Sequence, residues 1–273
     1  MAQPPPDRKP GNLRLRLLSA MVFAPLVITA IYVGSPWFDI VVVVAGLLMA
    51  WEWARICCDG EFVLSGWLLA AGVAAAAGGA IAGEPRTAVV FIAIAAIVLS
   101  AVSRIERREA GYILPVGIVL VGFFTISFLW IRDFPESGRE FMVWLVLAVW
   151  FTDTGGYLFG RAIGGAKLAP RVSPNKTWAG LGGGILLATI WSGFWLTAVG
   201  EESILLILAA GISVAALAQL GDLSVSAVKR RYGVKDASGL IPGHGGVLDR
   251  LDGMLLTAPA LAFVLFLSVR GWF

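Results

Sequence analysis

A chain of 273 residues that is 58% hydrophobic and only 14% charged, with a mean hydropathy of +0.84, has too little polar side chain to cover a globule in water, where about 25% charged residues is usual. The net charge of +3 and pI near 9.1 do not point to nucleic acid, because the cytoplasmic loops of a membrane protein carry an excess of Lys and Arg. Cys57 and Cys58 are adjacent and His244 is the single histidine, which leaves no ready disulfide and no Cys/His metal spacing.

Apolar runs near the roughly 20 residues needed to cross a bilayer predict an all-α integral membrane protein with about nine transmembrane helices. They cover 17–34, 37–57, 62–83, 87–103, 112–131, 141–160, 178–199, 204–228 and 253–270. Residues 1–16, with Pro4-Pro5-Pro6 and the basic Arg8, Lys9, Arg14 and Arg16, are expected to form a disordered cytoplasmic tail, and 17–273 a single polytopic membrane domain. The first apolar run is longer than a signal-peptide core and lacks a small-x-small exit, so it reads as an uncleaved span. Counting spans from a cytoplasmic N-terminus leaves only Arg86, Arg132, Arg139 and Arg270 of the 21 Lys and Arg outside, which places the C-terminus outside. The 33 glycines suit helices that approach closely, and Gly160–Gly164 and Gly180–Gly184 fit a small-xxx-small pattern.

The ionisable residues gather in two inner segments. Asp153 interrupts the sixth apolar run, and an acid there needs a partner; a metal ion or Lys176 are the candidates. The stretch Ser173-Pro174-Asn175-Lys176-Thr177-Trp178 reads either as a substrate loop or as a helix start, with Thr177 a natural cap. If the eighth helix continues to Arg231, then Asp222, Ser226, Lys229 and Arg230 share one face. A basic helix end that sets topology would explain the cations, but not Asp222.

Further on, Gly243-His244-Gly245-Gly246 frees the backbone to aim N–H groups at an anion. Asp249 and Asp252 follow at the start of the last helix, where acids are also simply stabilising. Paired carboxylates opposite cations beside such a nest suit Mg²⁺-assisted phosphoryl chemistry. No Walker-type G-x-x-x-x-G-K-[ST], H-E-x-x-H or G-x-S-x-G occurs, which removes support for the common nucleotide-loop, zinc-protease and hydrolase readings.

Residues 226–252, Ser226-x-x-Lys229-Arg230-x4-Lys235-Asp236-x-Ser238-x2-Ile241-Pro242-x-His244-Gly245-Gly246-Val247-x-Asp249-Arg250-Leu251-Asp252, resemble the signature of phosphatidate cytidylyltransferases. Ser173-Pro-Asn-Lys176-Thr177-Trp178 resembles that family's second motif, and Trp51-Glu52-Trp53 is a softer likeness. The resemblance implies transfer of a cytidylyl group from CTP to phosphatidic acid at the bacterial inner membrane, with Mg²⁺ as cofactor and the site facing the cytosol. It implies Asp222, Asp249, Asp252 and Asp153 as metal ligands, and Lys229, Arg230, Lys235, His244 and Arg250 as further catalytic residues. Ser173, Lys176, Thr177, Ser226, Gly245 and Gly246 are the implied substrate contacts. The partners expected are CTP, phosphatidic acid and the lipid bilayer, with no nucleic acid and with a homodimer left open. A related enzyme with another lipid phosphate acceptor is the alternative within the class. A transporter, suggested by Glu52, Asp153 and Asp222, is the alternative outside it.

Overall fold

The computed structural model describes residues 12–105, 112–200, 203–241, 243 and 245–269, with side chains from Met21 onward. Among these, ten helices and one two-stranded hairpin form the fold: α1 (Asn12–Val33), α2 (Trp37–Cys57), α3 (Leu64–Ile81), α4 (Pro85–Ile105), α5 (Ile113–Arg132), α6 (Gly138–Ala162), β1 (Lys167–Ala169), β2 (Ser173–Thr177), α7 (Trp178–Ala198), α8 (Ile204–Arg231), α9 (Leu248–Leu251) and α10 (Met254–Val269).

Seven of these helices, α2 to α8, are long and apolar enough to cross a membrane, and two shorter apolar helices cover Met21–Val33 and Met254–Val269. The expected spans therefore stand as helices, with ends moved by a few residues. Three differences are substantive. Residues 12–16, expected in the tail, are the first turn of α1. The segment after α6 is not a plain loop but an antiparallel hairpin, with Lys167 opposite Thr177 and Ala169 opposite Ser173. The last helix does not begin at Asp249: a four-residue turn, α9, precedes α10, and Asp252 and Gly253 lie between them. At 16 residues, α10 spans only about 24 Å.

The bundle has two parts. Helices α2, α3, α4 and α5 pack on one another, and α6, α7 and α8 form a second group; α10 lies against both α5 and α8. Most of α5 is enclosed and most of α4 is not, so α5 is the axis of the first group and α4 its lipid-facing wall. Cys57 and Cys58 are buried in the core and form no disulfide, as their adjacency implied. Of the small-residue pairs, Gly180 and Gly184 both pack on the backbone of α6, while Gly164 lies outside the seam. A Cβ on Gly155 would strike the carbonyl of Gly183, and one on Gly180 would stand 2.8 Å from the Gly156 oxygen, so α6 and α7 meet backbone to backbone.

Candidate active site

The site residues meet at one end of the bundle, where α2 stops, the hairpin folds over and α8 emerges. A helical period places Asp222, Ser226 and Lys229 on one face of α8, and the contacts follow that face. Ser226 Oγ donates to Asp222 Oδ1 at 3.1 Å. The hairpin swings Lys176 onto the other oxygen of Asp222 as an ion pair. Lys176, one of two partners expected for Asp153, thus pairs with Asp222, while still attracting Asp153 from nearby.

Lys229 is 7% exposed, and its ammonium donates to Asp249 Oδ1 at 2.5 Å. Arg230, one residue on, turns away. Its guanidinium donates to the carbonyls of Val172 and Val234, each at 3.3 Å, tying the hairpin to the end of α8. Asp252 is brought against α8 by Gly221, where a Cβ would collide with the Asp252 carbonyl. Asp153 and Asp222 both repel the Asp252 carboxylate, and Lys229 and Lys176 attract it. Arg250 adds a positive charge near Asp153. Three carboxylates and several cations therefore share one recess between α6, α8 and the hairpin.

The glycine segment differs from the open anion nest expected of it. The N–H groups of Gly245 and Gly246 already have partners within the protein. Gly245 N–H donates to the Ile241 carbonyl at 3.1 Å; Gly246 N–H and Ala237 N–H donate to Asp249 Oδ2 at 2.9 and 2.8 Å. Val247 and Leu248 N–H donate to Glu52 at 2.9 and 2.6 Å, and Ser238 Oγ donates to Glu52 Oε1 at 2.5 Å. Two carboxylates, Asp249 and Glu52, thus hold the loop in the way a phosphate would. Gly245, at φ 87°, turns the chain where a side chain would be strained, and a Cβ there would stand 2.6 Å from Asp249 Oδ2.

Glu52, read from the sequence only as part of a soft likeness and as a hint of a transporter, was not placed among the site residues, yet it anchors the loop. It is fully buried and lies about two hundred positions from the loop it organises. Its signal was the one used for Asp153, an acid inside an apolar run. Thr177 is buried and caps α7, accepting from Gly180 N–H at 3.0 Å, so the helix-start reading accounts for its contact. Ser173 opens β2 and Lys235 is exposed after α8. His244 lies outside the described residues.

Among the described residues, no three His, Cys, Asp or Glu side chains gather closely enough to hold a metal ion. Instead Asp222 and Asp249 each hold a lysine ammonium. Hard oxygen donors that already carry a cation fit Mg²⁺, which binds through one or two carboxylates together with substrate phosphate oxygens.

A family model described as the cytidylyltransferase family matches residues 14–268. The chain is 33% identical over 267 residues to a phosphatidate cytidylyltransferase of Brucella suis, with 92% of each chain covered. It is 38% identical over 160 residues to a protein of the same name from Bacillus subtilis, covering 58% of this chain and 59% of that one. A third so named, from Haemophilus influenzae, is 40% identical over 137 residues, 48% of each chain.

Proposed function

The chain belongs to the cytidylyltransferase family, and from that membership we propose that it transfers the cytidylyl group of CTP to phosphatidic acid, giving CDP-diacylglycerol and pyrophosphate. The structural observation that supports this is the recess where Asp153, Asp222 and Asp252 lie among Lys176, Lys229 and Arg250. A phosphate oxygen of the lipid attacks the α-phosphorus of CTP. The bond from that phosphorus to the bridging oxygen breaks, and pyrophosphate leaves with the electron pair. No protein nucleophile enters, so positioning and charge neutralisation carry the rate.

We assign Mg²⁺ to this recess, with Asp222 and Asp249 as ligands and Asp252 and Asp153 supplying the surrounding negative field. Bound there, the ion would offset negative charge on the phosphates. Lys176 and Lys229 would then be released from their carboxylates to hold substrate oxygens, with Lys235 and Arg250 placed for the leaving pyrophosphate. Ser226 keeps Asp222 oriented, Arg230 holds the hairpin, and Asp249 and Glu52 fix the loop.

We place this end of the bundle on the cytosolic side of a bacterial inner membrane, because nearly all Lys and Arg fall on segments at that end and CTP is a soluble nucleotide. The basic excess then serves topology, and no nucleic-acid partner is proposed.

The test is to incubate detergent-purified protein with CTP, Mg²⁺ and phosphatidic acid, following pyrophosphate and a cytidine-labelled lipid. Lipid-dependent formation of both supports the reading. Turnover only with another lipid phosphate would keep the reaction and change the acceptor. Cytidylyl transfer that survives Asp222→Asn at near wild-type rate would remove Asp222 from the site.

A further inference from the structure

A cavity of about 600 Å³ opens between the end of α2 and the 232–240 segment, on the far side of the loop that Glu52 and Asp249 hold. Its volume lies within the roughly 300–1,000 Å³ of small-molecule sites. One wall is flat. The Arg55 guanidinium lies over the Trp51 ring at 4.7 Å, and its Nε donates to the Gly60 carbonyl at 2.8 Å, which fixes it there. A guanidinium held on an indole is a stacking platform for a heteroaromatic ring.

Asp59 supplies the one carboxylate among the lining residues. Its backbone sits at φ 54°, in the left-handed turn that ends α2, where Gly60 N–H returns to the Arg55 carbonyl. The opposite wall contains Ala237 and Ser238, whose N–H and hydroxyl are bound to Asp249 and Glu52. An occupant would touch the same loop whose other side holds Lys229 through Asp249.

We propose that this cavity seats the cytidine half of CTP: the base stacks on the Arg55–Trp51 platform, Asp59 accepts from its exocyclic amine, and the triphosphate runs toward Lys229 and Asp222. The inference rests on CTP being the donor. Cytosine offers an amine donor where uracil offers a carbonyl acceptor, so Asp59 would select the first and repel the second. The lining is mixed, with Ile56, Val234 and Leu240 beside Arg55, Asp59 and Ser238, and the Asp59 carboxylate would repel a lipid phosphate where it would accept from a neutral base.

The test is to measure rates against CTP at saturating phosphatidic acid and the reverse, together with equilibrium dialysis of labelled CTP. Trp51→Ala is expected to raise the KM for CTP roughly 10- to 100-fold, the loss of one base–aromatic stack, with the KM for phosphatidic acid within about twofold of wild type. Asp59→Asn is expected to cut the preference for CTP over UTP about tenfold or more. A Cβ on Gly239 meets nothing within 4 Å and its φ is not left-handed, so Gly239→Leu intrudes on the cavity without disturbing packed groups, and it should weaken CTP binding while kcat holds. Unchanged CTP affinity in all three variants, with turnover intact, would overturn the cavity assignment and leave the reaction standing. A rise confined to the KM for phosphatidic acid would give the cavity to the lipid headgroup and likewise overturn it. Wild-type protein that neither binds nor consumes CTP would sink the reaction and the cavity together.

Discussion

Between α2 and α5 the contact is made by an indole: Trp53 is wholly buried against Gly117, and its Nε1 donates to the Ile113 carbonyl at 3.1 Å. Between α6 and α7, at the end nearest the site, it is made by peptide backbone, with Gly155 on Gly183 and Gly180 on Gly156. The first half is filled by side-chain volume, with Phe124, Leu114 and Ile118 completing a dense interior. The second half keeps its bulk, Trp144 and Trp191, at the end of the seam away from the site. The closeness of the glycine contacts lets Asp153 of α6, Lys176 of the hairpin and Asp222 of α8 meet in one recess. One half is a scaffold of volume; the other trades volume for the approach of charges.

The comparison can be broken at its strongest point by Asp249→Asn, which leaves the buried Lys229 ammonium without its paired carboxylate. Breaking such a pair costs about 3–5 kcal/mol, and loss of a proposed ligand should lower kcat by roughly a thousandfold. Denaturant titration and the cytidylyl-transfer assay read the two losses separately, and Lys229→Met added to Asp249→Asn should restore stability but not turnover.

Trp53→Ala tests the other half. Emptying a buried indole site costs about 3–5 kcal/mol, yet below the melting transition kcat should stay near wild type; a proportionate fall in kcat would mean the scaffold is not separable from the site. Glu52→Gln places an amide where three donors converge, and each one left unpaired costs about 1–3 kcal/mol. Hydrogen exchange over residues 237–248 should speed up, and Glu52→Asp should not restore it, because the shorter chain does not reach.

Gly183→Leu would push against Phe159 and part the α6–α7 seam, an overpacking cost of about 1–3 kcal/mol. Its expected signature is a raised requirement for Mg²⁺, since Asp153 moves with α6. At the bottom of the scale, Arg139 and Glu140 form an exposed pair at 2.9 Å, and Arg139→Ala should shift stability by less than about 0.5 kcal/mol.

The helices were legible because a bilayer imposes length and polarity on every run that crosses it, and the α8 face was legible because 3.6-residue periodicity fixes which side chains neighbour each other. The hairpin at 167–177 was not. Its strands are three and five residues long, too short for alternation to register, and Ser173-Pro174 resembles a helix start. The partners of the glycine loop were hidden for another reason. Periodicity reports only local geometry, and Glu52 reaches Leu248 across 196 positions. Gly245 and Gly246 did indicate a backbone able to wrap an anion; the anions it wraps in the described residues are the protein's own.

Lys176 on Asp222 and Lys229 on Asp249 carry a last consequence. Were a divalent ion to bind there as proposed, it would not add charge to a low-dielectric place but displace a charge already present, so occupancy would be an exchange rather than a filling. Such a site would discriminate against monovalent competitors, which would gain no more than the ammonium they displaced. It would also couple two events, because each displaced lysine could pair with a phosphate that came with the ion.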